Sequence, residues 1–213
     1  VTQLKEDKDR LQDRLNDQQL EILRTEDHRR VLEMALKEAK EEIVIISPWM
    51  NTRTVDEPLA QLFAQAVRRG VRIRIGYGFG FDRNGPEGER NRASANAVRA
   101  KLTRTVDKAL VDRLKMVNLG DTHEKLLICD RQFAVTTSFN WLSYRGDLDE
   151  GYRRETGALV RSLDAVDKIA RRALEAFAAA EQRPQNAQRT MAGRGTAVGN
   201  GDLQRIIAGR DRT

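Results

Sequence analysis

One stretch of the sequence restricts the fold more than any other. Residues 43–46 form a short apolar run that ends at serine and proline, which is typical of a strand buried on both faces. Apolar residues then recur at helical spacing over 56–69, and Gly70 favours a helix end. Residues 71–75 alternate apolar side chains with arginines, which predicts a second strand. A β-α-β unit of this kind predicts a parallel strand pair joined by a right-handed crossover.

The rest of the chain predicts more elements of the same kind. Helices are expected over about 94–113 and from 163 to about 181, and strands at 115–117, 125–129, 133–137 and 156–160. Glycines are frequent over 76–92, but their spacing fits neither G-x-G-x-x-G nor a loop ending in Gly-Lys-Ser/Thr. That stretch is therefore interpreted as a surface loop beside a site. The predicted fold is α/β, with a mixed, largely parallel β-sheet flanked by helices.

The N-terminal segment predicts a long helix. Residues 3–41 contain no proline or glycine and are rich in Glu, Lys, Leu, Gln and Arg. With Leu4 at a d position, seven of the eleven a and d positions are apolar, which favours a coiled coil. A single amphipathic helix packed on its own domain is the alternative. The predicted domains are a coiled-coil helix over 1–29, a catalytic domain over 30–182 and a disordered basic tail over 183–213.

Composition narrows the possible partners. The 213 residues carry a net charge of +6, and residues 42–180 contribute 23 Lys and Arg against 18 Asp and Glu. A mildly basic domain favours a polyanion such as nucleic acid, although solubility alone explains this charge equally well. One cysteine and two histidines exclude a Cys-rich zinc site and an all-His metal cage, so no metal or cofactor is expected. There is no apolar run of 18 residues and no recognisable signal peptide, so a cytoplasmic protein without a membrane partner is expected.

Chemically useful side chains concentrate after residue 122. His123 and Lys125 are two residues apart, so they share one face of an extended segment, and Asp130 closes that segment at a turn. Ser138 and Asn140 have the same spacing at the end of the next apolar run. If the two strands are neighbours, these four side chains converge. This set suits a phosphodiester substrate. The imidazole can attack or donate a proton, and the cation and polar donors can hold the phosphate oxygens.

These residues resemble the signature of the phospholipase D superfamily, H-x-K-x4-D followed by G-S-x-N. Thr137 stands where the family usually has glycine. Glu155 resembles the acidic residue that the family places after a later turn, and the Ile-Ser-Pro-Trp sequence at 46–49 is similar to family members. The resemblance covers about residues 30–180, and the matching signature positions are His123, Lys125, Asp130, Ser138 and Asn140.

The resemblance implies a role for each residue. His123 is the expected nucleophile and forms a phosphohistidine, while Lys125 and Asn140 bind the phosphate. Ser138 supports the phosphate pocket, and Glu155 orients the imidazole and stabilises its charge. The resemblance groups Asp130 with this catalytic set, where its expected contribution is to tie down the loop after its strand.

The family mechanism needs two such motifs, and this chain has one. The other histidine, His28, lies in a charged helical stretch and is interpreted as a solvated helix residue. The second motif is therefore expected from another copy, in a homodimer formed through the motif face and the N-terminal helix.

Three further residues are candidates for substrate binding. Trp49 and Trp141 could stack on a base or sugar, or pack in the core, and Arg83 could contact a polyanion. The expected function is a metal-independent phosphodiesterase, most consistent with a nuclease acting on DNA or RNA. The alternatives are a phospholipase or other small-phosphodiester hydrolase, and a non-catalytic module that binds nucleic acid.

Overall fold

A computed structural model describes residues 19–146 and 152–183. Their strands form one seven-stranded sheet in the order β1-β7-β6-β5-β2-β3-β4. The strands are β1 (Leu20–Arg24), β2 (Glu42–Ile46), β3 (Arg72–Tyr77), β4 (Leu114–Asn118), β5 (Leu126–Cys129), β6 (Phe133–Thr137) and β7 (Thr156–Val160). The helices are α1 (Thr25–Glu38), α2 (Glu57–Arg68), α3 (Pro86–Thr105) and α4 (Leu163–Glu181), with a 3-10 helix at Lys108–Arg113.

The β-α-β unit predicted from the sequence is confirmed. Strands β2 and β3 are parallel, with Ile43 opposite Ile73. Helix α2 connects them, and the carboxylate of Asp56 accepts a hydrogen bond from the Leu59 amide at its first turn. Gly70 adopts a φ of 98°, a conformation that favours glycine, directly after this helix.

The two faces of the sheet are covered by different helices. Helices α1, α2 and α3 pack on one face, where Ile43 and Ile45 of β2 are buried. Helix α4 packs on the other face against Val44 and Ile46 of the same strand. Strand β2 is therefore buried on both sides, as its continuous apolar run predicted.

The prediction of a largely parallel sheet is wrong. Only the β2–β3 and β3–β4 pairs of the described sheet are parallel, and its other four pairs are antiparallel. The physical reason is the short connection between β5 and β6, in which Asp130 and Arg131 adopt φ values of 49° and 56°. Such a tight turn reverses the chain, so the two strands form a hairpin.

A continuous helix over residues 3–41 is also wrong. Residues Leu20–Arg24 form strand β1, which pairs with the edge of β7, and helix α1 begins only at Thr25. Pairing with an available strand edge outweighs local helix propensity here. The sheet therefore begins before residue 30, within the segment predicted as a coiled coil. The predicted heptad positions before residue 19 and the predicted tail from residue 184 lie outside the described residues.

The segment after β3 differs in detail from the prediction. Helix α3 begins at Pro86, within the predicted loop, and ends at Thr105, so the helix expected over 94–113 is displaced toward the N-terminus. Proline in the first turn is favourable because its missing N–H has no intrahelical partner there. The loop that follows β3 is consequently short and lies beside the end of β2, where Gly78 N–H donates to the Pro48 carbonyl.

Candidate active site

The sheet topology brings the motif residues to one end of the sheet. Strands β5 and β6 are antiparallel, with Leu126 opposite Thr136, so the start of β5 adjoins the end of β6. Strand β7 is antiparallel to β6, so its start adjoins the same place. An open cleft of about 720 Å³ lies there, and its lining includes Trp49, His123, Lys125, Ser138 and Asn140.

His123 is exposed and is held between a cation and two aromatic rings. The Nζ atom of Lys125 lies 3.2 Å from Nε2 and 3.3 Å from Nδ1 of the imidazole, and it donates to the His123 carbonyl at 2.9 Å. The ring centroids of Trp49 and Phe79 lie 5.5 Å and 5.0 Å from that of His123. These contacts fix the ring while leaving it open to the cleft, as a nucleophile or a proton donor requires.

The cationic group beside His123 is itself tuned by its surroundings. Partial burial lowers the pKa of Lys125 from its ordinary value, and the negative charge of Glu155 opposes that shift. A lysine ammonium next to an imidazole can neutralise the oxygens of a bound phosphate while the ring approaches the phosphorus.

Glu155 is positioned by contacts with two other segments, the start of α1 and the end of β6. Its backbone N–H donates to Thr25 Oγ1 at 2.8 Å, which ties it to the start of α1. Its carboxylate accepts a short hydrogen bond from Ser138 Oγ, which also accepts from the Thr156 amide at 3.1 Å. Among the described residues, the hydrogen bond to this carboxylate comes from Ser138 rather than from His123. The expected orientation of the imidazole by Glu155 therefore stays a prediction.

Asn140 lines the cleft and has one side-chain atom without a hydrogen-bond partner among the described residues. Its side chain is 7% exposed, and its buried Oδ1 has no hydrogen-bond partner within the described part of the chain. Buried polar atoms without partners are uncommon in proteins, since desolvation costs free energy that no bond offsets. Asn140 lines the cleft, and the side-chain NH2 of an asparagine is the group that can donate to a phosphate oxygen.

Asp130 lies at the opposite end of β5 from this cleft. Its carboxylate accepts hydrogen bonds from three consecutive backbone amides, Lys40 at 2.6 Å and Glu41 and Glu42 at 2.8 Å. These bonds tie the β5–β6 turn to the connection between α1 and β2. Asp130 is thus not part of the cleft, although the resemblance groups it with the catalytic residues, and its contacts are those of a loop tie.

The candidate substrate residues separate in the structure. Trp49 is half-buried and lines the cleft. Trp141 is fully buried and packs edge-on against Phe139. Its ring therefore packs in the core, and the alternative that it stacks on a substrate is wrong. Arg83 lies outside the cleft lining, with its guanidinium 4.8 Å from the ring centroid of Phe79. Phe79 was not predicted as a site residue from the sequence, because it lies in the glycine-rich stretch interpreted as a surface loop. The signal in the sequence that could have indicated it is an aromatic residue just after a strand.

His28 is buried, so its interpretation as a solvated helix residue is wrong. Its Nδ1 lies 2.8 Å from the Arg24 carbonyl, and its Nε2 lies 2.7 Å from Thr137 Oγ1. The imidazole stacks on Phe139 with centroids 4.5 Å apart. Helix α1 begins at Thr25, which places His28 on the face that packs against the sheet. The contact to Thr137 supports the backbone directly before Ser138.

The burial of His28 predicts that stability depends on pH. Desolvation lowers the pKa of His28 below its ordinary value of 6.5, so the folded protein favours the neutral ring. The unfolded chain binds the extra proton below about pH 6.5, so the stabilisation by His28 is present above that pH and is lost as the pH falls. We expect His28→Gln to cost about 1–3 kcal/mol at pH 7.5. The difference in unfolding free energy between wild type and variant, measured by urea titration, should shrink between pH 6.5 and 5.0. A difference that stays constant over this range would contradict the assignment.

Two properties of the described ranges bear on cofactors and membranes. Across 19–146 and 152–183, no three His, Cys, Asp or Glu side chains are grouped closely enough to hold a metal ion. Within the same ranges, no helix has both the length and the apolar character needed to cross a membrane.

Comparisons with known proteins identify the fold. A family model described as the PLD-like domain of cardiolipin synthase matches residues 32–176. The structure is similar to NucT from Helicobacter pylori, at 14% identity over 76% of this chain and 97% of that chain, with a TM-score of 0.54. It is also similar to Nuc from Salmonella typhimurium, a phospholipase D family member, at 13% identity over 74% and 93% of the two chains, with a TM-score of 0.53. Phosphatidylserine synthase from Haemophilus influenzae aligns at 14% identity over 72% of this chain and 35% of that chain, with a TM-score of 0.52.

A comparison with curated protein sequences finds no significant match. The family model nevertheless spans more than half of the chain and includes the whole region from His123 to Glu155. The resemblance inferred from the signature residues is confirmed, and the chain belongs to the phospholipase D-like family.

Proposed function

We propose that this protein is a metal-independent phosphodiesterase, and specifically a nuclease that cleaves DNA or RNA through a phosphohistidine on His123. The observation that carries the proposal is the cleft itself, whose lining includes an exposed imidazole, a lysine amine within 3.3 Å of it and an asparagine side chain with an NH2 donor. This set supplies a nucleophile and partners for phosphate oxygens.

The proposed reaction proceeds in two displacements. An imidazole nitrogen of His123 forms a bond to phosphorus while the bond from phosphorus to the leaving oxygen breaks, and an acid gives that oxygen a proton. Water then attacks the phosphohistidine, the phosphorus–nitrogen bond breaks, and the water proton passes to a base. Lys125 and Asn140 hold the phosphate oxygens in both steps. Charge stabilisation by these side chains replaces the role that a metal ion has in other phosphodiesterases.

Charge around the cleft supports a polyanionic substrate. Arg153 and Arg172 both line it, and the Arg172 side chain is largely exposed beside Glu124. The chain as a whole carries a net charge of +6. Exposed arginines near a reaction centre attract a phosphate backbone and retain it by contacts that weaken with salt.

The first experiment measures cleavage in the presence of EDTA. Labelled single- and double-stranded DNA and RNA are each incubated with the protein in an excess of EDTA, so that divalent ions cannot take part in the reaction. We expect cleavage of at least one of the four, with strong inhibition by added salt. Failure to cleave any of them, together with hydrolysis of a phospholipid, would replace the nuclease by a lipid phosphodiesterase. Salt-dependent binding of nucleic acid without cleavage of any substrate would instead favour a binding module.

We further propose that the acid in the first step comes from a second copy of the chain. The chain has two histidines, and His28 is buried against Phe139, away from solvent. Leu20 and Ile22 of β1 are 50% and 61% exposed. They lie on the same face of the sheet as Thr136, which lines the cleft. Exposed apolar side chains on this sheet face suit a two-fold interface that brings two His123 residues together. A coiled-coil contribution to this dimer rests only on the heptad positions before residue 19, which lie outside the described residues.

The dimer proposal predicts that an inactive copy poisons an active one. Wild type is mixed with a tenfold excess of His123→Ala at saturating substrate, and the subunits are allowed to exchange. If a site needs both histidines, activity should fall to about one eleventh of that of the same amount of wild type alone, because few wild-type pairs remain. Unchanged activity in the mixture, or full activity of a species that sediments as a monomer, would overturn the shared site.

A further inference from the structure

A second pocket lies directly beside the candidate active site. It encloses about 220 Å³ and is walled by the aromatic rings of Trp49, Tyr77, Phe79 and Phe81, with Asn91 and Ser94 of helix α3 on its polar side. We call it the side pocket. Its volume is below the usual range for drug-sized ligands and suits a single ring system.

Two residues connect the side pocket to the nucleophile. Trp49 lines both the side pocket and the cleft, and Phe79 lines the side pocket while its ring centroid lies 5.0 Å from that of His123. A ligand in the side pocket and a phosphate at His123 are therefore separated by the width of one aromatic side chain. They are close enough to be parts of one molecule.

The chemistry of the side pocket favours a planar heterocycle. Aromatic walls bind flat rings by stacking, and this interaction accepts any base because every base has a π face. Ser94 is half-buried, and its hydroxyl makes no hydrogen bond to any described residue, so it is available to the polar edge of a ring. Arg90, exposed at the rim, adds a positive charge that suits an adjoining phosphate.

We propose that the side pocket binds the base next to the scissile phosphate, so that the enzyme selects unpaired nucleic acid. This inference rests on the proposed nuclease function and names its substrate class. A base in a duplex is stacked and paired, and it must leave the helix before it can enter a pocket of this size. An unpaired strand offers the base without that free-energy cost, so single strands should be cleaved faster than the same sequence in a duplex.

The test fills the side pocket and compares substrates with and without a base. Ser94→Leu adds bulk inside the side pocket, and Ala100→Leu, at an exposed position of the same helix, is the matched control. The substrates are a baseless diester made only of tetrahydrofuran phosphate units, a single-stranded oligonucleotide, its duplex, and the same single strand carrying one abasic position.

We expect wild type to cleave the single strand at least about tenfold faster than the duplex, and to cleave at the abasic position about tenfold more slowly than at the matching intact position. Ser94→Leu should lower kcat/KM for the intact single strand about tenfold, change hydrolysis of the baseless diester less than about twofold, and lose the effect of the abasic position. Ala100→Leu should behave as wild type. Equal losses on the baseless diester and the oligonucleotide, or an abasic position cleaved as fast as an intact one, would overturn the proposal.

A binding measurement separates this inference from the proposed function. Binding of the intact and abasic strands to His123→Ala, followed by fluorescence anisotropy, needs no turnover. A preference of about tenfold for the intact strand, lost when Ser94→Leu is added, supports the side pocket even if no strand is cleaved. Equal binding of the two strands overturns it. Hydrolysis of the baseless diester alone would leave the phosphodiesterase standing without the side pocket.

Discussion

Replacing His123 with alanine should abolish phosphodiester cleavage, lowering kcat at least about 1,000-fold. The proposed mechanism passes through a bond between phosphorus and an imidazole nitrogen, and alanine offers no atom that can replace it. The effect should fall on kcat rather than on substrate affinity, because Lys125 and Asn140 still line the cleft. His123 is exposed, so the substitution leaves no cavity in the core and the variant should unfold at the wild-type temperature.

The covalent step gives this prediction a second readout. A substrate labelled with ³²P at the scissile phosphate should transfer label to wild type during turnover, in a bond that survives base and breaks in acid, as a phosphoramidate does. His123→Ala should carry no label. Lys168→Ala, an exposed substitution on α4 purified in parallel, controls for contaminating nucleases and should retain wild-type activity. Cleavage that persists in His123→Ala would place the chemistry elsewhere and remove the basis of the proposed function.

The residues around the cleft show what sequence spacing can predict. His123 and Lys125 are two residues apart, as are Ser138 and Asn140, and the structure brings all four around one cleft. Side chains two residues apart share one face of a strand, and the two strands that carry these pairs are neighbours in the sheet. The arrangement therefore follows from local geometry, which the sequence predicts. The hydrogen bond from Ser138 to Glu155 depends on how β7 returns beside β6, which spacing alone does not determine.

Residues that depend on distant packing were harder to predict. Phe79 contacts His123 only because the loop after β3 lies next to the end of β2. His28 is buried because α1 begins at Thr25 rather than continuing from an earlier helix. The charges around His28 in the sequence indicated a solvated position, and its stacking partner is more than 100 residues away.

Strand direction was missed for a related reason. An apolar run of four or five residues has the same pattern whether its neighbour is parallel or antiparallel, so the pattern does not predict strand direction beyond the β-α-β unit. The information about direction lay in the three residues between Cys129 and Phe133, which are too few for a crossover. Strand β1 carried no comparable signal, because its residues are good helix formers that pair with the edge of β7.

Asp130→Ala should destabilise the fold by about 2–3 kcal/mol without slowing turnover of the folded protein. The carboxylate accepts three backbone hydrogen bonds, and the two from Lys40 and Glu41 lie at the surface, where water replaces part of what is lost. Alanine also tolerates the φ of 49° at this position less well than aspartate does. Asp130 is five residues from Lys125 along β5, a separation of about 16 Å for an extended strand, so the cleft should be unaffected.

The measurement pairs urea unfolding with activity per folded molecule. Asp130→Asn keeps an acceptor and a residue that tolerates positive φ, so it should cost about 1 kcal/mol, less than alanine. Asp164→Ala, which removes an exposed carboxylate paired with Lys168, is the matched control and should change stability by less than about 0.5 kcal/mol. A loss of turnover in Asp130→Ala at temperatures where it is fully folded would show that Asp130 acts on the chemistry. Unchanged turnover with reduced stability would establish it as the tie between the β5–β6 turn and the start of β2.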